Sequence, residues 1–94
     1  MTTVYYSSRA VTDIERLADL LLATEPHAAA ETGTILMEAI AMLPRHPLVG
    51  RIVEQGLREL VISRGRSGYV ALYRFDAATN QVYILAVCHQ RKLG

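Results

Sequence analysis

Ninety-four residues, about half of them apolar (51%), with a net charge of +1 and a single cysteine, bound this chain to one domain spanning residues 1–94. That length and composition supply one hydrophobic core and no internal disulfide. No apolar run approaches the roughly 20 residues of a membrane-spanning helix, and the opening MTTVYYSSRA lacks a charged-then-apolar leader, so a soluble, cytoplasmic protein with no membrane partner is expected. The near-neutral total hides an asymmetry. Residues 1–44 hold two arginines against six acids, and residues 45–94 hold eight Arg and Lys against three acids. Such a division can mark a basic face for nucleic acid or an acidic partner; the plainer reading is acidic helices beside strands with solvated arginines.

In chain order, Thr2 to Tyr6 is a short run of β-formers and reads as a strand. Ser7 or Ser8 can cap the helix that follows by accepting from a free N–H of its first turn. Val11, Ile14, Leu17, Ala18 and Leu21 recur at three- and four-residue spacing, which predicts a helix over 9–23 with Asp13, Glu15 and Asp19 mostly on its other side. Thr24-Glu25-Pro26 interrupts the pattern and starts a second helix, because proline suits a first helical turn and not an interior. Its stripe is Ala29, Gly33, Leu36, Ile40 and Leu43, widened by Ile35, Ala39 and Met42, and it ends before Pro44 and Pro47. Gly33 and the neighbouring alanines admit a close helix–helix approach; the plainer and preferred reading is simple packing. The two helices form an antiparallel hairpin.

Residues 45–56, RHPLVGRIVEQG, read as a loop with a short extended piece at 51–53. Three strands follow, at 57–63, 69–75 and 81–88, joined by RGRSG and DAATN. Connections this short force antiparallel neighbours. The last strand is apolar on both faces, with Val82, Ile84 and Ala86 on one and Tyr83, Leu85 and Val87 on the other, which suits the sheet interior. The order β-α-α-β-β-β predicts an α+β domain: a two-helix hairpin on an antiparallel-dominated sheet of about four strands, with the N-terminal strand beside the last.

Close-spaced metal ligands are absent, since His27, His46 and His89 fall on different predicted elements; no metal or cofactor is expected. RGRSG lacks the strand-to-helix context of a phosphate loop and reads as a hairpin turn. Cys88 reads as a packed hydrophobe. A metal-independent ribonuclease needs only a base, an acid and cations, and Arg58, Arg74, His89 and Arg91 supply those types if they converge. Alternation places Arg58 with Leu60, Ile62 and Arg64, and Arg74 with Val70 and Leu72, so the two are expected to emerge near one another at positions the sheet register decides; the plainer reading is snorkelling or ion-paired sheet-edge charges. Tyr69, Tyr73, Phe75 and Tyr83 read as packing side chains before stacking platforms.

PRHPLVGR (44–51), LREL (57–60), GYVALYRF (68–75) and ILAVCHQR (84–91), in the order strand, two helices, three strands, resemble the RelE/ParE superfamily of bacterial type II toxins along essentially the whole chain. The resemblance implies a toxin neutralised by a cognate antitoxin protein. RelE-like members cleave mRNA on the ribosome; ParE-like members inhibit DNA gyrase and trap it on broken DNA. Only one lysine, Lys92, and no tyrosine after Tyr83 depart from the ribosomal pattern, while the HPLVGR loop and the His-x-Arg ending are more similar to ParE-like chains. The implied reading is a ParE-like gyrase inhibitor of the plasmid-stabilisation kind. A RelE-like endonuclease and a non-toxic interaction module are the alternatives. Expected target- or antitoxin-binding residues are Arg58, Arg64, Arg66, Arg74, His89, Arg91 and Lys92, in a homodimer or a toxin–antitoxin hetero-oligomer.

Overall fold

The computed structural model describes residues 1–54, 56–64 and 67–89; side chains of Ser63, Arg64 and Ser67 lie outside that description. The elements run β1 (Thr3–Tyr6), α1 (Ser8–Thr24), α2 (Pro26–Ile40), β2 (Arg51–Glu54), β3 (Leu57–Arg64), β4 (Ser67–Asp76) and β5 (Gln81–His89). They form an α+β fold with one five-stranded sheet, ordered β1-β5-β4-β3-β2. β1 lies beside β5, parallel to it, and every other pairing is antiparallel. The sheet exceeds the expected four strands because the short extended piece is an edge strand, with Arg51 opposite Glu59 and Ile52 opposite Arg58.

Both helices cover one sheet face. Leu36, Ile40, Leu43, Leu60, Ile62, Tyr69, Ala71, Tyr73, Val82, Ile84 and Val87 make the core with Ala10. Two details of helix phasing differ from the spacing argument. In α1 the inward side chains are Ala10, Ile14, Leu17 and Leu21, while Val11 is exposed. Ser7 fixes that rotation: its N–H donates to the Ile84 carbonyl at 2.9 Å, its Oγ donates to the Leu85 carbonyl at 3.0 Å, and the Oγ accepts from Ala10 N–H as the helix cap. In α2 Thr32, not Gly33, turns inward, and a Cβ on Gly33 would meet nothing within 4 Å, so that glycine serves no close helix approach.

The seam between α1 and β5 departs from simple alternation. β1 reaches along β5 only to Ile84, and the β4–β5 register shifts at that point, leaving Leu85 as the extra residue. Past this bulge the parity inverts, so Val87 joins Val82 and Ile84 in the core, whereas Ala86 pairs with Leu72 on the other face. Asp13 then takes the place of a strand: its carboxylate accepts from Val87 N–H at 3.1 Å. This corrects the expectation that Asp13 lies on the helix side away from the fold.

The segment between α2 and β2 is held from beneath by Tyr73, which is fully buried. Its hydroxyl donates to the Pro47 carbonyl and accepts from Gly50 N–H, both at 2.8 Å. Arg58, directly opposite Tyr73 in the sheet, donates to the Gly50 carbonyl at 2.8 Å and the Leu48 carbonyl at 3.2 Å. Gly50 is required by this approach, since a Cβ there would lie 2.6 Å from the Tyr73 ring. Tyr73→Phe strands a buried donor and a carbonyl, and should cost about 1–3 kcal/mol in a denaturant titration. Gly50→Ala should lower the midpoint as well; an unchanged midpoint for either would remove the clasp from the account.

Candidate functional site

The cations singled out in the sequence occupy three separate surfaces. Arg58 lies on the helix-facing side and is half-buried, its guanidinium committed to the Leu48 and Gly50 carbonyls. Arg74 follows Tyr73 and so points to the opposite face of the sheet. Alternation groups each arginine with its face-mates, but the expectation that the two emerge near one another is not met: the register opposes Arg58 to Tyr73, so Arg58 and Arg74 lie on opposite faces of the sheet. His89 pairs with Tyr69 at the far end of β4 and β5, its ring edge-on to the tyrosine with centroids 5.3 Å apart. Arg66, Arg91 and Lys92 lie outside the described residues, and of Arg64 only the backbone, ending β3, is described.

Around Arg74 the outer face carries an aromatic wall. Arg74 is paired in register with Tyr83, and Tyr83 with Tyr5 of β1. The two tyrosine rings stack at 5.7 Å, and the Tyr83 hydroxyl donates to the Gln81 side-chain oxygen. With Tyr6, Ser7 and Leu85 they line a hollow of about 480 Å³. Burial pushes the Tyr6 phenol above its ordinary value, so it stays a neutral hydroxyl. The stacked tyrosines went unrecognised because Tyr5 and Tyr83 are 78 residues apart and meet only through the parallel β1–β5 pairing.

Further along β5, α1 and the last residues of that strand enclose a groove of about 330 Å³ lined by Arg9, Asp13, Arg16, Leu20, Cys88 and His89 among others. Arg9 pairs with Asp13 at 3.7 Å. Arg9 and Arg16 belong to the acidic half of the sequence and were not among the expected cations. The signal was available: positions 9, 13, 16 and 20 fall on one helical face. Among the described residues no group of three or more His, Cys, Asp or Glu side chains could hold a metal ion, and no helix is long and apolar enough to cross a membrane.

The profile described as "ParE toxin of type II toxin-antitoxin system, parDE" matches residues 4–94. The chain belongs to this toxin family. Toxin RelE1 of Caulobacter vibrioides is 37% identical over 87 residues, which covers 93% of this chain and 91% of that one. The toxin's fold superposes with a TM-score of 0.77 on a chain of the chromosomal ParDE system from P. aeruginosa, at 19% identity over 95% of this chain and 96% of the other. A chain of the RelBE2 toxin–antitoxin complex from Mycobacterium tuberculosis gives 0.61 at 28% identity, covering 95% and 98%. Both neighbours have the α+β architecture described above. The likeness at 19% identity speaks for fold alone.

The geometry separates structural from surface arginines. Arg58→Gln removes donors to two loop carbonyls and should lower the thermal midpoint. Arg74→Gln, at an exposed position, should leave the midpoint within experimental scatter while altering growth arrest. Equal destabilisation by both would contradict the assignment. The Tyr73 phenol is also held above its ordinary value of 10.0, chiefly by burial and against the lowering effects of the Gly50 bond and Arg58. Its folded pKa therefore exceeds the unfolded one, so its contribution to stability is complete below about pH 10 and is lost as pH rises through the raised value. Alkaline unfolding monitored from pH 9 upward should be less steep in Tyr73→Phe, with Tyr6 supplying a remaining share.

Proposed function

We propose that this toxin arrests growth in the cytoplasm by ParE-like inhibition of DNA gyrase, and that a cognate protein antitoxin neutralises it. The observation that supports this reading most is the separation of Arg58, Arg74 and His89. Metal-independent RNA cleavage requires an acid and a base within hydrogen-bond reach of one phosphate, with cations around it. Arg58 is bound to backbone carbonyls on one side of the sheet, Arg74 stands on the other, and His89 packs on Tyr69 at the strand end. The family match to the ParE profile points the same way.

An antitoxin segment has a matching surface. Leu20, Leu22 and Met37 are well exposed on the helical hairpin, and an amphipathic segment with acidic residues would cover them and reach the basic C-terminal half of the chain. The relative named RelE1 and the groove that joins His89 to Arg9 and Arg16 favour the second reading, a RelE-like ribosome-dependent mRNA endonuclease. The two readings separate in cells lacking the antitoxin, by pulse labelling with thymidine and methionine over the first minutes after induction. Gyrase inhibition predicts that thymidine incorporation falls first, with induction of the DNA-damage response. A first collapse of methionine incorporation would transfer the assignment to the ribosome, and an unaffected culture accumulating folded protein would leave a non-toxic interaction module.

A further inference from the structure

The strongest unassigned surface is the free edge of β2 with the loop that leads into it. Leu48, Val49, Ile52 and Val53 are 58%, 48%, 67% and 40% exposed, an apolar cluster of the kind that marks an interaction site. The surface is rigid from within, because the Tyr73 hydroxyl and Arg58 hold the Pro47, Leu48 and Gly50 backbone from the core side. Preorganisation of this kind lowers the ordering cost of association. β2 is the last strand of the sheet, so its outer backbone groups face no further strand. Edge strands are protected by short length, bulges, like charges, lysine or proline; Arg51-Ile52-Val53-Glu54 is short and bulged, but it has no proline or lysine and its two charges are of opposite sign, so they can complement a second copy.

The charges on β2 identify what fits it. Residues three apart on a regular strand point to opposite faces. The bulge between Ile52 and Glu54 changes this: Arg51 opposes Glu59 and Glu54 opposes Leu57, and Leu57 and Glu59 share one face of β3. Arg51 and Glu54 therefore also share a face. An antiparallel neighbour related by a two-fold axis normal to the sheet then sets each Arg51 opposite a Glu54 and each Ile52 opposite a Val53. Arg51 uses two of its N–H donors on Glu59, at 2.8 and 2.6 Å, and the guanidinium has others to offer a second carboxylate.

We propose that β2 pairs antiparallel with β2 of a second copy of this chain, joining two sheets into one ten-stranded sheet through reciprocal Arg51–Glu54 ion pairs. The pairing goes beyond the gyrase reading and does not depend on which target the toxin acts on.

Charge reversal tests it directly. In sedimentation velocity on the purified full chain, the wild type should show a concentration-dependent dimer at high micromolar concentration. Arg51→Glu and Glu54→Arg each place like charges at both ends of the pairing and should weaken the dimer about tenfold or more. An equimolar mixture of the two variants should regain it, since each interface then has two opposite-charge pairs again. Ile52→Lys, at an exposed position, should also give monomer. A wild type that stays monomeric, a mixture no more associated than its components, or an Ile52→Lys chain that dimerises like wild type would each overturn the proposal.

Discussion

A single buried hydroxyl determines how one end of this toxin is shaped. Tyr73 carries its phenol through the core to the underside of the Pro47–Gly50 segment, where it donates to one carbonyl and accepts from one N–H. An unmet polar group at that depth would cost more than a typical hydrogen bond contributes, so the ring and the loop constrain each other. Arg58 completes the arrangement from the neighbouring strand, and Gly50 is the residue that lets the ring come close enough. Two consequences reach the surface. The apolar side chains of the loop are presented in one conformation, and β2 is aimed along β3 as an ordered edge strand.

The same bonds redefine what the basic half of the chain is for. Arg58, read in isolation, is a candidate for phosphate recognition; in the fold its donors are directed at backbone carbonyls. Arg74 has a different setting, exposed beside stacked tyrosines on the outer face. His89 is grouped with Arg9 and Arg16 across the α1–β5 groove. The positive charge is thus distributed over distinct surfaces, which suits recognition of a macromolecular partner better than concentration on a single scissile bond. That distribution is the physical basis of the proposed gyrase reading.

Much of the architecture was legible in the sequence because strand alternation and helix spacing are strong here. The meander of β3, β4 and β5 and the helical hairpin follow from apolar periodicity and short connections, whereas the place of β1 beside β5, though expected, rests on a long-range parallel pairing that spacing does not determine. The exceptions have local causes. Ser7 pins the first turn of α1 to the β5 bulge, and the small Ala10 enters the core in place of the more hydrophobic Val11. The bulge at Leu85 inverts the faces of Ala86 and Val87, which no alternation pattern reveals. β2 is exposed along its whole length and flanked by glycines, so the sequence marks a short extended piece there but not its pairing as a fifth strand of the sheet. Of the candidate site residues, sequence grouped Arg58 and Arg74 with their face-mates and could not supply their register or partners, and Arg9 and Arg16 were hidden by the acidity of the helix that bears them.

The most direct test of the functional account is biochemical. Purified toxin is incubated in parallel with gyrase, ATP and supercoiled plasmid, and with ribosomes programmed with a defined mRNA, each with and without a cognate antitoxin. The account predicts accumulation of cleaved plasmid held by gyrase, reversed by the antitoxin, with the mRNA intact. Cleavage of the mRNA in the presence of ribosomes, with gyrase supercoiling unaffected, would contradict it.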